Sequence, residues 1–418
     1  MKRIIIINNS DRALSYGIGS YSTNLIECLR ATDFAFDVVY LNSDIYELRI
    51  VEKNDYREFF IPAFTGSTNK KLMAYCKMLP FLFKELFNAD DEIIFHFNWF
   101  FTDLLLAELK AVFNCKILLP VHFTDWSFQL NGDYRKLISI LDKVKKEDAI
   151  PMYEKRVLDI IKLEKAIFHQ SDLIMFVAKH TAKTYTKISL LQETKYMIIN
   201  NGLKDEYKRV SIAQKRAIRK RYHIKDHETI LFFAGRLDEI KGVYCLIEAF
   251  RKVLLSKQDV RLFIAGEGDF SKLLSKSRFS GTQITFLGFL DKSELYNFYR
   301  IADIGISCSI HEEFGLVALE MMMHQLPVIV TNTGGLAEIV EDNVDGLKVP
   351  VVYKKGKLTV DIAQLASKIT YLIDHPHECK RLGENARKKF LSDYELSVFS
   401  YKMNQVYQSI FSKNEQNP

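Results

Sequence analysis

Residues 307–335 read SCSIHEEFGLVALEMMMHQLPVIVTNTGG, and this stretch organises the rest of the chain. An apolar run from Ile301 to Ile306, broken by Asp303, predicts a strand leading into it. Small polar residues then turn the chain, and Glu312 and Glu313 stand directly before Phe314 and Gly315. Leu316 to His324 is a run of helix formers; Pro327 and the β-branched Val328, Ile329 and Val330 end that helix and begin the next strand. Asn332 to Gly335 makes a loop into a further helix. Glu312 and Glu320 lie on either side of the strand-to-helix junction; were the whole span helical, they would stand ~12 Å apart. That is close to the span of a sugar diphosphate joined to a ribose. Unpaired amides at the helix start suit an anion, and a carboxylate on either side suits hydroxyl groups. Incidental surface acids on a βαβ connection are the plain alternative for any single Glu pair.

The ordered set Ser309, Glu312, Phe314-Gly315-Leu316, Glu320, Pro327-Val328 and Gly334-Gly335 resembles the Glu-x7-Glu signature of the retaining glycosyltransferases of family 4. Glu313 stands where that family usually has Gly, a departure tolerated if its side chain points to solvent. The resemblance implies an α/β, GT-B fold: two Rossmann-like, doubly wound domains facing a central cleft and closing on the donor. It implies a retaining, metal-independent transfer of a sugar from a nucleoside-diphosphate sugar to a hydroxyl acceptor. The nucleotide sugar is a co-substrate, and no cofactor is expected. Glu312 is then the residue on the transferred sugar, and Glu320 binds the ribose hydroxyls. The amides of Gly315 and Leu316 add anion contacts.

Further pieces match by position. Glu228 to Gly235 (ETILFFAG) predicts a buried strand, followed by Arg236 and Lys241, the pair that the resemblance sets on the donor diphosphate. Two fixed cations there would stabilise charge on the departing phosphate without a metal, and the chain holds no Asp-x-Asp motif. Near the amino end, Lys2 to Ile7 predicts a strand buried on both faces. Gly17 and Gly19 follow in a loop that approaches the donor phosphate by the same resemblance, and a helix is expected from Tyr21 to Leu29. The third glycine of a dinucleotide fingerprint is absent, since Ser22 stands there. His122, after a further expected strand, is the candidate for contact with the sugar or the acceptor. Gly266 and Glu267, in the turn after Val260 to Ala265, are weaker donor contacts. Trp99 and Trp126 also fall at strand ends, where a flat ring could stack on a sugar or simply pack. Ala178 stands where the family commonly has Ser.

Composition narrows the class. The chain has 418 residues, 48% hydrophobic and 26% charged, as in a globular protein of at least two domains. A net charge of +6 is mild, and no nucleic-acid recognition motif accompanies it. Six scattered cysteines with no Cys-x-x-Cys read as thiols in a reducing compartment. The apolar run after Met1-Lys2-Arg3 is too short for a signal peptide, and no run spans a bilayer, so a cytoplasmic protein is expected. Two basic stretches, 131–170 and 204–225, are solvated helical faces by default; contact with an anionic membrane or acceptor is the sharper option.

The expected organisation is an acceptor-side domain over 1–200 and a donor-binding domain over 201–392. A terminal helix, about 393–418, is expected to pack back on the first domain. A glycan, a glycolipid and a peptide all remain open as acceptor. The rival readings are a GT-B nucleotide-sugar epimerase and a non-catalytic carbohydrate-binding protein.

Overall fold

A computed structural model describes residues 1–9, 17–63, 68–88, 90–98, 102–146, 149–188, 190–191, 195–277 and 281–412. Two compact units divide the chain: Met1–Leu130 with Tyr134–Lys204 and Leu396–Pro418, and Asn131–Asp133 with Asp205–Glu395.

The first unit runs β1 (Lys2–Asn8), α1 (Gly17–Leu29), β2 (Ala35–Ser43), β3 (Arg49–Glu52), β4 (Arg57–Pro62), α2 (Thr68–Leu86), β5 (Glu92–Phe97) and α3 (Asp103–Val112). It continues through β6 (Cys115–Val121), α4 (Asp125–Leu130), α5 (Tyr134–Lys145), α6 (Met152–Gln170), β7 (Leu173–Phe176), α7 (Lys179–Lys187) and β8 (Tyr196–Ile198). Among the described residues the sheet order is β3-β4-β2-β1-β5-β6-β7-β8, parallel except for the edge pair β3–β4. The β-branched run of β1 is buried on both faces. Ile5 and Ile7 join the apolar cluster that includes Leu79 and Leu105, while Ile4 and Ile6 join Leu25 and Phe399 in a second one. Pairing of β2 with β1 and β4 places the buried Asp37 between two arginines. Its Oδ2 accepts from Arg3 Nη1 at 2.6 Å, and its Oδ1 accepts from Arg57 Nε at 3.0 Å. A carboxylate taken out of water needs such partners.

The second unit contains α8 (Ile212–Arg221), β9 (Thr229–Ala234), α9 (Val243–Val253), β10 (Val260–Ala265), α10 (Phe270–Ser277), β11 (Ile284–Gly288), α11 (Lys292–Ile301) and β12 (Ile304–Ser307). After these come α12 (Leu316–Met323), β13 (Val328–Thr331), α13 (Gly334–Ile339), β14 (Leu347–Val349), a hairpin of β15 (Val351–Lys354) and β16 (Lys357–Val360), α14 (Ile362–Asp374) and α15 (Pro376–Lys389). Its parallel sheet has the order β11-β10-β9-β12-β13-β14. The predicted strand over 301–306 is shorter than expected: Ile301 ends α11 and β12 begins at Ile304. Asp303 between them accepts the Ile230 amide through Oδ2 at 2.8 Å, which explains a charge inside an apolar run.

From Leu396 the chain returns to the first unit as α16 (Leu396–Ser412). Leu396, Phe399, Met403, Val406, Tyr407 and Ile410 are buried at helical spacing, a single apolar face. They pack with Tyr21 and Leu25 of α1 and Phe36 of β2. His96 is enclosed in this cluster, 3.1 Å from the Tyr21 hydroxyl and 2.7 Å from that of Tyr407. It is therefore a tie between β5, α1 and α16, and not a residue of an open cleft.

Candidate functional site

Strand order in the second sheet reverses direction at β9 and β12, which lie side by side and parallel. The crevice beyond the carboxyl ends of such strands is where doubly wound sheets bind ligands. The loop after β9 carries Arg236 and Lys241; the loop after β12 carries Ser309 and Glu312. Their backbones are joined, because the Ile310 amide donates to the Ile240 carbonyl at 2.6 Å. Gly242 permits this approach. Its φ is +72°, and a Cβ there would come within 2.0 Å of the Cys308 carbonyl oxygen.

The side chains then meet. Lys241 Nζ donates to Glu312 Oε2 over 2.6 Å, and Ser309 Oγ donates to the same oxygen over 3.0 Å. Among the described residues, the hydrogen bonds of this carboxylate fall on Oε2, which leaves Oε1 for a ligand. Asp238, which sequence reasoning passed over, organises the cations. Its Oδ2 meets Arg236 Nη2 at 3.0 Å, and its Oδ1 accepts the Lys241 backbone amide at 2.9 Å. Its position three residues before Lys241 was the only signal.

Gly315 is the N-cap of α12, with φ +109° and no side-chain cap, so the first-turn amides of that helix are not satisfied by a side chain. This arrangement favours an anion at Gly315 and Leu316. The Glu312 carbonyl is held by the Gly335 amide at 2.8 Å, and Gly334 and Gly335 open α13 rather than forming a loop before it. Glu312 lies in a loop before α12, on the other side of the junction from Glu320 as expected, so the distance of a fully helical span does not apply. A correction concerns Glu313. Its side chain is buried and 3.0 Å from His311 Nε2, not directed to solvent, so the departure from Gly is compensated by a partner.

Glu320, on α12, accepts the Tyr299 hydroxyl through Oε2 at 2.9 Å. Its surface is partly open, yet it sits deep among neighbouring side chains, and burial pushes its carboxyl up to about 7 despite the Tyr299 hydrogen bond. His324 Nδ1–H donates to the Glu320 carbonyl at 2.9 Å. Burial brings the His324 imidazole down to about 4, so it is neutral. Gly266 and Glu267 follow β10. The Gly266 amide is committed to the Gly288 carbonyl at 2.7 Å, and the Glu267 carbonyl accepts from Leu237, while the Glu267 side chain is exposed.

Other predicted residues lie in the first unit. Gly17 and Gly19 are not in a loop: α1 starts at Gly17, so both occupy its first turn. They were placed in a loop because glycines between a strand and a helix let backbone amides approach a ligand closely. His122 follows β6 and packs edge-on over the Tyr21 ring, 4.2 Å between centroids. Among the described residues its buried Nε2 has no hydrogen-bond partner, and burial lowers its pKa to about 3, leaving a neutral imidazole. Trp126 is buried on α4 and presents no open face for stacking; Trp99 lies outside the described residues. Ala178 is the N-cap of α7 and makes no side-chain cap hydrogen bond.

Among the described residues, no group of three or more His, Cys, Asp or Glu side chains is placed to hold a metal ion. No helix among them is long and apolar enough to cross a membrane. The basic face expected over 204–225 is largely paired on α8. Lys215 meets Asp303 at 3.4 Å, Arg216 meets Asp226 at 3.3 Å and Arg221 meets Glu294 at 3.0 Å. A cavity of about 480 Å³ beside α8 includes Thr229 and Ile304, at the amino ends of β9 and β12, opposite to the loops that carry Lys241 and Glu312.

Known structures share this architecture. Sucrose-phosphate synthase from Thermosynechococcus elongatus superposes with a TM-score of 0.78 at 20% identity, covering 99% of this chain and 100% of that one. The fold is GT-B. The Anabaena protein HepE, in complex with UDP-glucose, superposes with a TM-score of 0.67 at 14% identity over 98% of this chain and 100% of that one. In sequence, residues 214–389 match the family model described as glycosyl transferases group 1. That segment of the GT-B chain includes Arg236, Lys241, Glu312 and Glu320. An uncharacterized glycosyltransferase of Methanocaldococcus jannaschii is 32% identical over 184 residues, 43% of this chain and 47% of that protein. The chain spans about half the length of the curated relatives it matches.

Proposed function

We propose that this GT-B chain is a retaining, metal-independent glycosyltransferase that moves a sugar from a nucleoside-diphosphate sugar to a hydroxyl acceptor. Its place would be in glycan, polysaccharide or glycoconjugate biosynthesis. The observation that carries the reading is the hydrogen-bonded set of Lys241, Glu312 and Ser309 beside a helix start with no side-chain cap. Cations and amides there suit a diphosphate, and the uncommitted oxygen of Glu312 suits a sugar hydroxyl. The group 1 match over the same residues and a structural neighbour bound to UDP-glucose support it.

In this reading Arg236 and Lys241 stabilise the negative charge that grows on the departing diphosphate as the bond from the anomeric carbon to phosphate oxygen breaks. Glu312 lies against the sugar and offsets positive charge at that carbon. The acceptor oxygen bonds to the carbon on the face the phosphate leaves, which retains configuration. Its proton passes to the departing phosphate oxygen, so no protein base is assigned. Glu320 accepts from the ribose hydroxyls. Neutral His122 is assigned to hydroxyl recognition, because an imidazole without charge can donate or accept. Peripheral contact with an anionic membrane belongs to the same reading; the exposed Lys145 of α5 and Arg216 of α8 are candidates for it, each also paired with an acid.

The test is a thermal-shift panel of UDP-, GDP- and ADP-sugars with and without EDTA. A shift from one nucleotide class, insensitive to EDTA and reduced in Glu320→Ala, is expected by mass action. No shift from any donor, together with no sugar transfer to glycan, glycolipid or peptide acceptors, would overturn the assignment.

A further inference from the structure

We infer that Tyr299 is a positioning residue that presents the Glu320 carboxylate to the vicinal hydroxyls of the bound nucleotide's ribose. This rests on the nucleotide-sugar reading and adds a residue that no motif singled out.

The geometry is specific. Tyr299 lies on α11, its ring 1% exposed, and its hydroxyl is 2.9 Å from Glu320 Oε2. The ring is held from two other elements: Phe232 of β9 meets it edge-on at 5.5 Å, and His324, just after α12, lies 5.3 Å away. A ring so enclosed cannot move its hydroxyl away. Burial, reinforced by the nearby Glu320, keeps the phenol well above its ordinary pKa, so it remains a proton donor to the carboxylate.

Glutamate has three side-chain torsions and loses much freedom when ordered. With Oε2 engaged by Tyr299, Oε1 and the second lone pair of Oε2 are presented in one orientation, a fitting acceptor pair for two adjacent hydroxyls. The backbone at the same residue is fixed by His324, whose imidazole packs on Tyr296 at 4.5 Å between centroids. Tyr296, Tyr299 and His324 thus hold both ends of Glu320. The charged groups that also face it are Lys292 of α11 and Glu206. Lys292 favours the ionised carboxylate and Glu206 opposes it, and the two are hydrogen-bonded to each other. The Tyr299 hydroxyl is therefore the donor that fixes the carboxylate itself.

The experiment is titration calorimetry with UDP-glucose, GDP-mannose and ADP-glucose between pH 5.5 and 8.5. Wild type is measured first, and then Tyr299→Phe with the tightest donor and its 2′,3′-dideoxyribose analogue. Loss of one hydrogen bond to a charged group is expected to weaken donor binding about fivefold to tenfold. The acid limb of the binding profile should move to higher pH, because the hydroxyl favours the ionised carboxylate. The dideoxy analogue should show no such loss. Adding Tyr299→Phe to Glu320→Gln should change affinity little, a coupling that survives even if the single variant is less stable. Unchanged affinity and pH limb in Tyr299→Phe, or equal losses with both donor forms, would overturn the inference while leaving the functional reading intact. A wild type that binds none of the three donors and transfers no sugar would sink that reading, and this role for Tyr299 with it.

Discussion

Lys241 Nζ stands 2.6 Å from Glu312 Oε2, joining two loops separated by 71 positions in sequence. The contact exists because β9 and β12 are neighbours in the sheet, so the loops at their carboxyl ends emerge together. A cation and a carboxylate that share one hydrogen bond fix each other's position. In the proposed function they also divide the work, Lys241 facing phosphate and Glu312 the sugar.

Lys241→Ala should therefore do two things. It removes a positive charge from the diphosphate position and releases Glu312 from its fixed orientation. Turnover is expected to fall about 10²- to 10³-fold, by analogy with the loss of one preorganised donor at a developing anion. Steady-state transfer assays with the identified donor check this, and turnover within twofold of wild type would remove Lys241 from the site.

Asp238 gives a graded test of Arg236. Arg236→Ala should lower turnover severely, whereas Asp238→Asn keeps the shape of the turn but weakens its hold on the guanidinium. An intermediate loss, on the order of tenfold, is expected for Asp238→Asn, since a charge-assisted contact becomes a neutral one. Parallel kcat and KM measurements on the two variants decide it. A loss as large as that of Arg236→Ala would mean that Asp238 supports more than the arginine.

Glu320 predicts a pH dependence. Its carboxyl is raised to about 7 by burial, so the folded, ligand-free protein favours the protonated form. An ordinary carboxyl in the unfolded chain ionises near about 4.3. Between those values the native state binds more protons, and stability contributed at this site falls as pH rises towards 7. Glu320→Gln should thus raise the melting temperature at pH 8 relative to wild type and lose that advantage near pH 5. Donor affinity should show the opposite trend, because in the proposed function ribose hydroxyls donate to the ionised carboxylate, so wild-type binding should weaken below pH 7. A flat affinity profile from pH 5.5 to 8.5 would contradict the assignment of Glu320 to ribose.

Asp37 separates stability from function. It is buried between Arg3 and Arg57 in the first unit, where it ties β1, β2 and β4. Asp37→Ala leaves Arg57 without its carboxylate and Arg3 with Asp91 alone, and breaking a buried pair in this way costs about 3 kcal/mol. Denaturant unfolding should show that loss, with donor affinity of the folded fraction unchanged. Full stability in the variant would mean that the arginines find water instead.

Much of this was legible in the chain itself. Buried parallel strands announce themselves by unbroken β-branched runs, as in Ile4 to Ile7, because both sheet faces are covered. The helix after Gly315 and the strand after Pro327 follow from local propensity and from proline's inability to continue a helix. Arg236, Lys241, Glu312 and Glu320 were singled out by their resemblance to the Glu-x7-Glu signature and the cation pair that accompanies it. α16 was expected to return to the first unit because the resembled fold has such a terminal helix; its apolar stripe alone said only that it packs against something.

Tertiary structure decided the rest. Which loops meet depends on strand order, and the adjacency of β9 and β12 has no local signature. Local pattern showed Tyr299 only as one more aromatic on an amphipathic helix. Its role appears when α11 and α12 pack so that its hydroxyl reaches Glu320. The sequence left open whether Glu313 and Trp126 face outward; both are buried, since burial is set by what packs over a residue and not by its own chemistry. Hydrophobic period and turn chemistry act over a few neighbours, and they determined the elements of this protein. The site required contacts between residues tens of positions apart, which only the packed sheet and its covering helices supply.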